Sequence, residues 1–287
     1  MKDNFVFFGT PKPAVIVLNK LKEASLLPSL VVTNPDRPKG RGLELAPSPV
    51  KVWAKENNIP VITPEKLDSE FKAQLQKEDP AVCIVVAYGK ILKQDVLDVP
   101  EKGFLNVHPS LLPLHRGATP VQSSLLSGDT ETGVTVMQLD EKMDHGPIVA
   151  QEFLALNGTE KSPELHQTLF ELGGKLLAEV IPEWIAGNIV PQEQDHDLAT
   201  YSEKIEKKNG ELLETDTDET KWRKYRAYAG WPGVFYFENK KRIKITEASF
   251  QDEVNGETRE GDLGRGKFVI EKIIPEGRKE QEYKREG

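Results

Sequence analysis

The first two-thirds of the chain alternates short apolar runs with longer amphipathic stretches. The runs predict strands at Phe5–Phe8, Leu30–Thr33, Pro60–Thr63, Ala81–Ala87, Phe104–His108 and Gly133–Gln138. Several are continuous Val, Ile and Phe rather than alternating, as in strands buried on both faces of a parallel sheet. Helical spacing marks Ala14–Lys22, Pro49–Glu56 and Ser69–Gln76. The longest helix opens at Ser162-Pro163-Glu164, where a serine caps and a proline suits the first turn. Leu165, Leu169, Leu172, Leu176, Val180 and Trp184 then recur on one face, and Gly187-Asn188 ends it. The alternation predicts an α/β fold, a Rossmann-like doubly wound and mostly parallel sheet.

The pattern changes near residue 190. Pro191–Thr200 is polar and acidic and reads as a linker. Beyond it, strand-like alternation appears at Gly233–Phe237, Arg242–Thr246 and Lys267–Ile270, separated by turn residues at Asn239, Asn255-Gly256 and Gly261–Gly266. We expect an α/β domain over residues 1–189, a linker over 190–204, and a smaller C-terminal β domain over 205–287, an OB-like barrel.

A chain of 287 residues has room for two domains. Residues 205–287 hold 18 of the 38 basic and 18 of the 46 acidic residues, so the net charge of −8 belongs to residues 1–204. The acidic total argues against indiscriminate nucleic-acid binding, while a neutral C-terminal part has room for a local basic face. Cys83 is the sole cysteine, which excludes an intramolecular disulfide. Inside the run Ala81–Ala87 it reads as a buried hydrophobe rather than a nucleophile. The opening apolar stretch Phe5–Phe8 is too short for a signal peptide, and no run approaches the ~20 residues of a membrane span. These features predict a cytoplasmic protein with no membrane partner.

Candidate chemistry concentrates in two places. In Phe104-Leu105-Asn106-Val107-His108, residues two apart share a face, so Asn106 and His108 project together at the C-terminal end of a strand. That end of an open α/β sheet is where ligands bind. An amide donates to a developing oxyanion, and an imidazole moves a proton near neutral pH. Some 30 residues on, the strand-like Gly133–Gln138 leads into a loop with Asp140, Asp144 and Gly146. Asp144 is placed to orient His108, hold a water or accept a proton. Taken singly, each of these residues also fits a structural role in a turn or strand end.

Asn106, His108 and Asp144, with Ser110-Leu111-Leu112-Pro113, Arg116-Gly117 and Gly133-Val134-Thr135, resemble the motifs of the folate-dependent formyltransferase superfamily in order and spacing. The likeness runs strongest toward the branch that formylates methionine on initiator tRNA. It is carried there by Phe8-Gly9-Thr10-Pro11, by the loop Asn34–Gly42 with Pro47–Lys51, and by Thr200–Ile205. Trp231-Pro232-Gly233 and Pro275–Lys279 extend it nearly to the end of the chain.

The resemblance implies residues 1–189 as the catalytic domain, with Asn106, His108 and Asp144 as its chemistry. The co-substrate is 10-formyltetrahydrofolate, held near Tyr88, Gly89, Ile91 and Leu92, by the loop Ser110, Leu111, Leu112 and Pro113, and by Asp140. The acceptor partner is initiator methionyl-tRNA, met by Arg37, Lys39 and Arg41 in a glycine-rich basic loop and by Lys207 and Lys208 in the C-terminal domain. No metal is expected, since no pair of histidines has metal-site spacing. A monomer is expected. Three departures stand out: a C-terminal domain balanced rather than basic, Asn34 where Gln is common, and an unusually charged tail after Lys279. The alternatives are a formyltransferase for a small amino-nucleotide or amino-sugar, a formate-releasing hydrolase with the same triad, and a noncatalytic RNA-binding protein.

Overall fold

The apolar runs become strands in the computed structural model, which describes residues 3–39, 44–252 and 266–284. In chain order the strands begin with β1 (Phe5–Gly9), β2 (Leu30–Val32), the hairpin β3 (Arg37–Lys39) and β4 (Glu44–Ala46), and β5 (Val61–Ile62). They continue with β6 (Val82–Val86), β7 (Phe104–His108), the two-residue β8 (Arg116–Gly117), β9 (Glu131–Gln138) and β10 (Ile148–Ala155). Seven of them form one sheet in the order β10-β9-β7-β6-β1-β2-β5. The pairs from β7 through β6, β1 and β2 to β5 are parallel, and β9 joins β7 antiparallel. The sheet is thus mixed but mostly parallel, as the pattern predicts.

Helices α1 (Lys12–Glu23), α2 (Pro49–Glu56), α3 (Ser69–Glu78), α4 (Gln94–Leu97) and α5 (Pro120–Ser127) intervene, and α6 runs over Ser162–Ala186. Local chemistry fixes their starts: Ser48 accepts from the Lys51 N–H and opens α2, and Asp68 accepts from the Phe71 N–H and opens α3. Each face of the sheet has its own core. Phe5, Phe7, Ile84, Leu105 and Val107 pack with α1 residues and with Phe170, Leu177, Ile181 and Trp184 of α6. Val6, Phe8, Cys83, Val85 and Phe104 pack with Phe71 and Leu75 of α3. Cys83 is buried, as a hydrophobe in this position should be.

Alternation along β7 decides where the candidate site lies. Leu105 and Val107 point to the first core. A Cβ on Gly173 of α6 would stand 2.6 Å from Val107 Cγ1, so the glycine lets the helix lie close behind the strand. Phe104 points to the second core, and Asn106 and His108 follow it on that same face.

The chain divides into two compact units. One comprises Met1–Arg116, Gly133–Glu152 and Gln167–Thr200; the other comprises Gly117–Thr132, Phe153–His166 and Tyr201–Gly287. The second unit contains β11 (Tyr201–Ser202), helix α7 (Asp218–Ala227), and strands β12 (Val234–Glu238), β13 (Lys241–Asp252), β14 (Gly266–Pro275) and β15 (Gln281–Glu282). The last four make an antiparallel sheet in sequence order, of the kind a small barrel is made from. Trp222 and Tyr225 of α7 pack against Phe250 and Phe268 of that sheet.

Candidate active site

Parallel pairing sets Asn106 beside Val85, and antiparallel pairing sets His108 beside Thr135. The Asn106 side chain is half-buried and makes no hydrogen bond among the described residues. A strand amide left without a partner is unusual, because partly buried polar groups are normally paired. The imidazole of His108 is buried; its Nε2 lies 3.0 Å from the carbonyl oxygen of His115. A carbonyl only accepts, so Nε2 carries the proton and donates. Nδ1 is therefore the basic nitrogen, and Oδ1 of Asp144 stands 3.7 Å from it. Burial pushes the His108 pKa below its ordinary value, and the Asp144 carboxylate pulls the other way.

The loop after β7 is tied down by Thr135. Its hydroxyl donates to the Ser110 carbonyl at 2.7 Å and accepts from the Leu112 N–H at 3.1 Å. Gln151 adds bonds to the Leu112 carbonyl and to Thr135, both at 2.9 Å. The Ser110 hydroxyl donates to the Leu114 carbonyl at 2.6 Å. The Asp144 loop is shaped by Gly146, where a Cβ would fall 2.0 Å from the Gln138 carbonyl oxygen. Asp144 itself has φ +49, an uncommon conformation for a side-chain-bearing residue.

A third cluster joins the loops at the C-terminal ends of β1, β2 and β6. The Asn34 amide donates to the Tyr88 carbonyl at 2.8 Å and to the Thr10 hydroxyl at 3.0 Å.

Comparison with known proteins places the chain in a family. Residues 3–181 match the family model described as formyl transferase, and residues 204–281 match its C-terminal domain. The methionyl-tRNA formyltransferase of Chloroflexus aurantiacus is 42% identical over 245 residues, covering 85% of this chain and 79% of that protein. That of Geobacter sulfurreducens is 37% identical over 284 residues, covering 96% and 90%. The chain belongs to the methionyl-tRNA formyltransferase family. An N-formyltransferase of Helicobacter canadensis, solved with folinic acid and dTDP-3-aminofucose, has the same fold with a TM-score of 0.70 at 19% identity, over 94% of this chain and 99% of that one.

Within this methionyl-tRNA formyltransferase fold, the residues expected around the folate fall into two groups. Ile91 is 87% exposed, Gly89 takes φ +82 with open space where a Cβ would be, and Leu111 and Pro113 are partly exposed. Tyr88, Leu92, Ser110 and Leu112 are buried instead. The Tyr88 ring is 2% exposed and meets Phe8 edge to face at 5.4 Å, so it does not line an open site. Burial pushes its phenol up to about 12. Its backbone, not its ring, is what faces the loop. Asp140 is partly exposed and accepts from His145 Nδ1 at 2.6 Å.

Of the residues expected to meet tRNA, Arg37 is exposed on β3 and Lys39 belongs to the same strand, while Arg41 lies outside the described residues. The base of that loop is anchored where Lys51 grips Asp36 at 2.7 Å. Lys207 and Lys208 are exposed, and Lys208 pairs with Glu206 at 2.9 Å. Pairing also occupies Lys221 (with Asp218), Arg223 (with Glu219) and Lys224 (with Asp216). Lys207, Lys240, Lys241 and Lys244 have no ion-pair partner among the described residues.

Four polar residues shape the site that sequence reasoning did not single out for it: Thr135, Gln151, Gln194 and the buried Arg116. Thr135 and Arg116 lie within quoted motifs, which is the only signal the sequence offers for them. Gln151 and Gln194 carry none, being ordinary polar residues in polar surroundings. Among the described residues, no group of His, Cys, Asp and Glu is arranged to hold a metal ion, and no helix is long and apolar enough to cross a membrane.

Proposed function

We propose that the chain moves the formyl group of 10-formyltetrahydrofolate to the α-amine of methionyl initiator tRNA, with Asn106, His108 and Asp144 as its reactive groups. The observation that carries this reading is the unpaired Asn106 amide on the strand face it shares with the His108–Asp144 pair. An unpaired donor at a strand's C-terminal end is preorganised for an oxygen that gains charge, which is how oxyanion sites work.

The amine nitrogen first bonds to the formyl carbon, giving a tetrahedral intermediate, and the bond from that carbon to N10 then breaks. The amine loses a proton and N10 gains one. Asn106 donates to the formyl oxygen as it becomes an oxyanion. The Nε2 proton of His108 is engaged by the His115 carbonyl, so Nδ1 is the nitrogen that takes the amine proton. Asp144 stabilises the imidazolium that results, and the same proton is then available to N10. The exposed Ile91 and the open Gly89 turn support a flat apolar ligand beside this centre, with backbone groups of residues 88–92 reading its polar edge. Residues 1–189 act as the catalytic part, and residues 205–287 hold the tRNA by phosphates, through exposed lysines such as Lys207 and Lys208, together with Arg37, Lys39 and Arg41.

Incubation of the purified chain with labelled 10-formyltetrahydrofolate and methionyl initiator tRNA tests the reading. Label recovered on the tRNA-bound methionine supports it. Label released only as formate contradicts it and makes the chain a hydrolase.

A further inference from the structure

The Asp144 turn is gripped from behind by a segment far along the chain. Ile148 and Gln192 form an antiparallel bridge, each N–H to the other's carbonyl at 2.7 Å. That bridge brings Gln194, two residues on and 5% exposed, against the turn. Gln194 Nε2 donates to the Asp144 carbonyl at 3.0 Å and to the Gly146 carbonyl at 2.7 Å. Its Oε1 accepts from Arg116 Nε at 3.1 Å and Nη2 at 2.6 Å. The orientation of the amide is forced: a guanidinium only donates and carbonyls only accept, so Oε1 faces Arg116 and the NH2 faces the turn.

Arg116 is itself 1% exposed, and its Nη2 also donates to His196 Nδ1 at 2.8 Å. The His196 ring stacks on His145, centroids 4.0 Å apart and 13° from parallel. His145 in turn donates to Asp140. Residues 194–196 thereby hold the end of the loop at Asp144–Gly146, and His145 ties that end back to Asp140. Among the described residues this network makes no hydrogen bond to Asn106; it meets the reactive groups at the Asp144 turn, and the Arg116 charge also acts on His108.

We infer that Gln194, oriented by the buried Arg116, is a positioning residue that sets the Asp144 carboxylate against His108. The inference rests on the reading of Asp144 as the group that stabilises the imidazolium. A neutral amide is the side chain that satisfies both neighbours at once. A carboxylate at 194 would keep Arg116 paired but oppose two carbonyl oxygens, and an apolar side chain would take away the acceptor that Arg116 Nε and Nη2 share and the donor that the two carbonyls share.

A mutant cycle on the full-length protein tests it, with turnover measured at saturating folate and tRNA. The variants are Gln194→Met, Asp144→Asn and the double variant. In the wild-type background Gln194→Met is expected to lower kcat on the order of 100-fold, the effect of a displacement of about 1 Å in a reacting group. In the Asp144→Asn background the same change should cost less than about 3-fold, because there is no carboxylate left to position. Equal losses in both backgrounds would make Gln194 a general structural prop and overturn the inference, as would unchanged turnover in Gln194→Met. If instead Asp144→Asn alone retains full turnover, it is the reading of Asp144 that fails. Should Gln194→Met not fold, Gln194→Glu keeps a partner for Arg116 and enters the same cycle with the same expected pattern.

Discussion

His108 Nδ1 and Asp144 Oδ1 stand 3.7 Å apart, while the opposite nitrogen of the same ring is spent on the His115 carbonyl. The pair is therefore poised rather than closed: the basic nitrogen faces a carboxylate across a gap just beyond hydrogen-bond length. An arriving proton has one ring position to occupy, and the carboxylate stands beside it.

The titration of His108 follows from this arrangement. Burial lowers its pKa below the ordinary 6.5, against the pull of Asp144. Its midpoint, read by NMR of the ring, should fall below 6.5 and move lower still in Asp144→Asn, which removes the group that raises it. The unfolded chain binds a proton at higher pH than the folded one, so stability contributed by this site declines as pH drops below about 6.5 through the folded midpoint. A midpoint at or above the ordinary value, or an upward move in Asp144→Asn, contradicts the arrangement.

Asn106→Ala separates chemistry from structure. Loss of an oxyanion donor costs on the order of 100- to 1000-fold in rate. The amide makes no hydrogen bond among the described residues, so thermal stability should hardly change. Single-turnover formyl transfer and a melting curve on the same sample check both halves. Near-normal turnover, or a large loss of stability, means that Asn106 serves the fold.

Thr135→Val tests the brace beneath the loop after β7. The substitution keeps the shape and removes a fully buried hydroxyl that serves the Ser110 carbonyl, the Leu112 N–H and Gln151. Each buried group left unsatisfied costs roughly 1–3 kcal/mol. Denaturant unfolding should show a loss of that size, with the folate KM raised as the loop loosens. An unchanged midpoint would rule the brace out.

How much of this could be read from the chain alone depended on range. Strand alternation placed Asn106 and His108 on one face, and the continuous apolar runs of β1 and β6 announced a sheet covered on both sides. Asp144 was legible through its motif, because a loop acid by itself looks like any turn residue. Tyr88 misled for a physical reason: an aromatic residue just past a strand reads the same whether it lines a ligand or closes a core, and here Phe8 claims the ring. Gln194 was invisible, since it acts on carbonyls 48 and 50 residues away from within a polar stretch that reads as a linker. The balanced C-terminal composition has room for a local basic face, but pairs such as Lys224 with Asp216 leave fewer cations to form it.

Electrostatic attraction to tRNA gives a prediction with a salt signature. Arg41→Ala and Lys207→Ala should each raise the tRNA KM and leave the folate KM unchanged. Removing one cation from a phosphate lowers the salt dependence of tRNA binding by about 0.7 to 0.9 in the log–log slope. Variants with the wild-type slope would mean that these side chains do not meet phosphate.

The central claim, that this site formylates methionine on initiator tRNA, is tested most directly by acceptor competition. Formyl transfer from 10-formyltetrahydrofolate is measured to methionyl initiator tRNA, to methionyl elongator tRNA, and to small amino-nucleotides and amino-sugar nucleotides. The account predicts strong transfer to the first and little to the others. Transfer confined to a small amine would contradict it, leaving the chemistry of Asn106, His108 and Asp144 in place and assigning them another substrate.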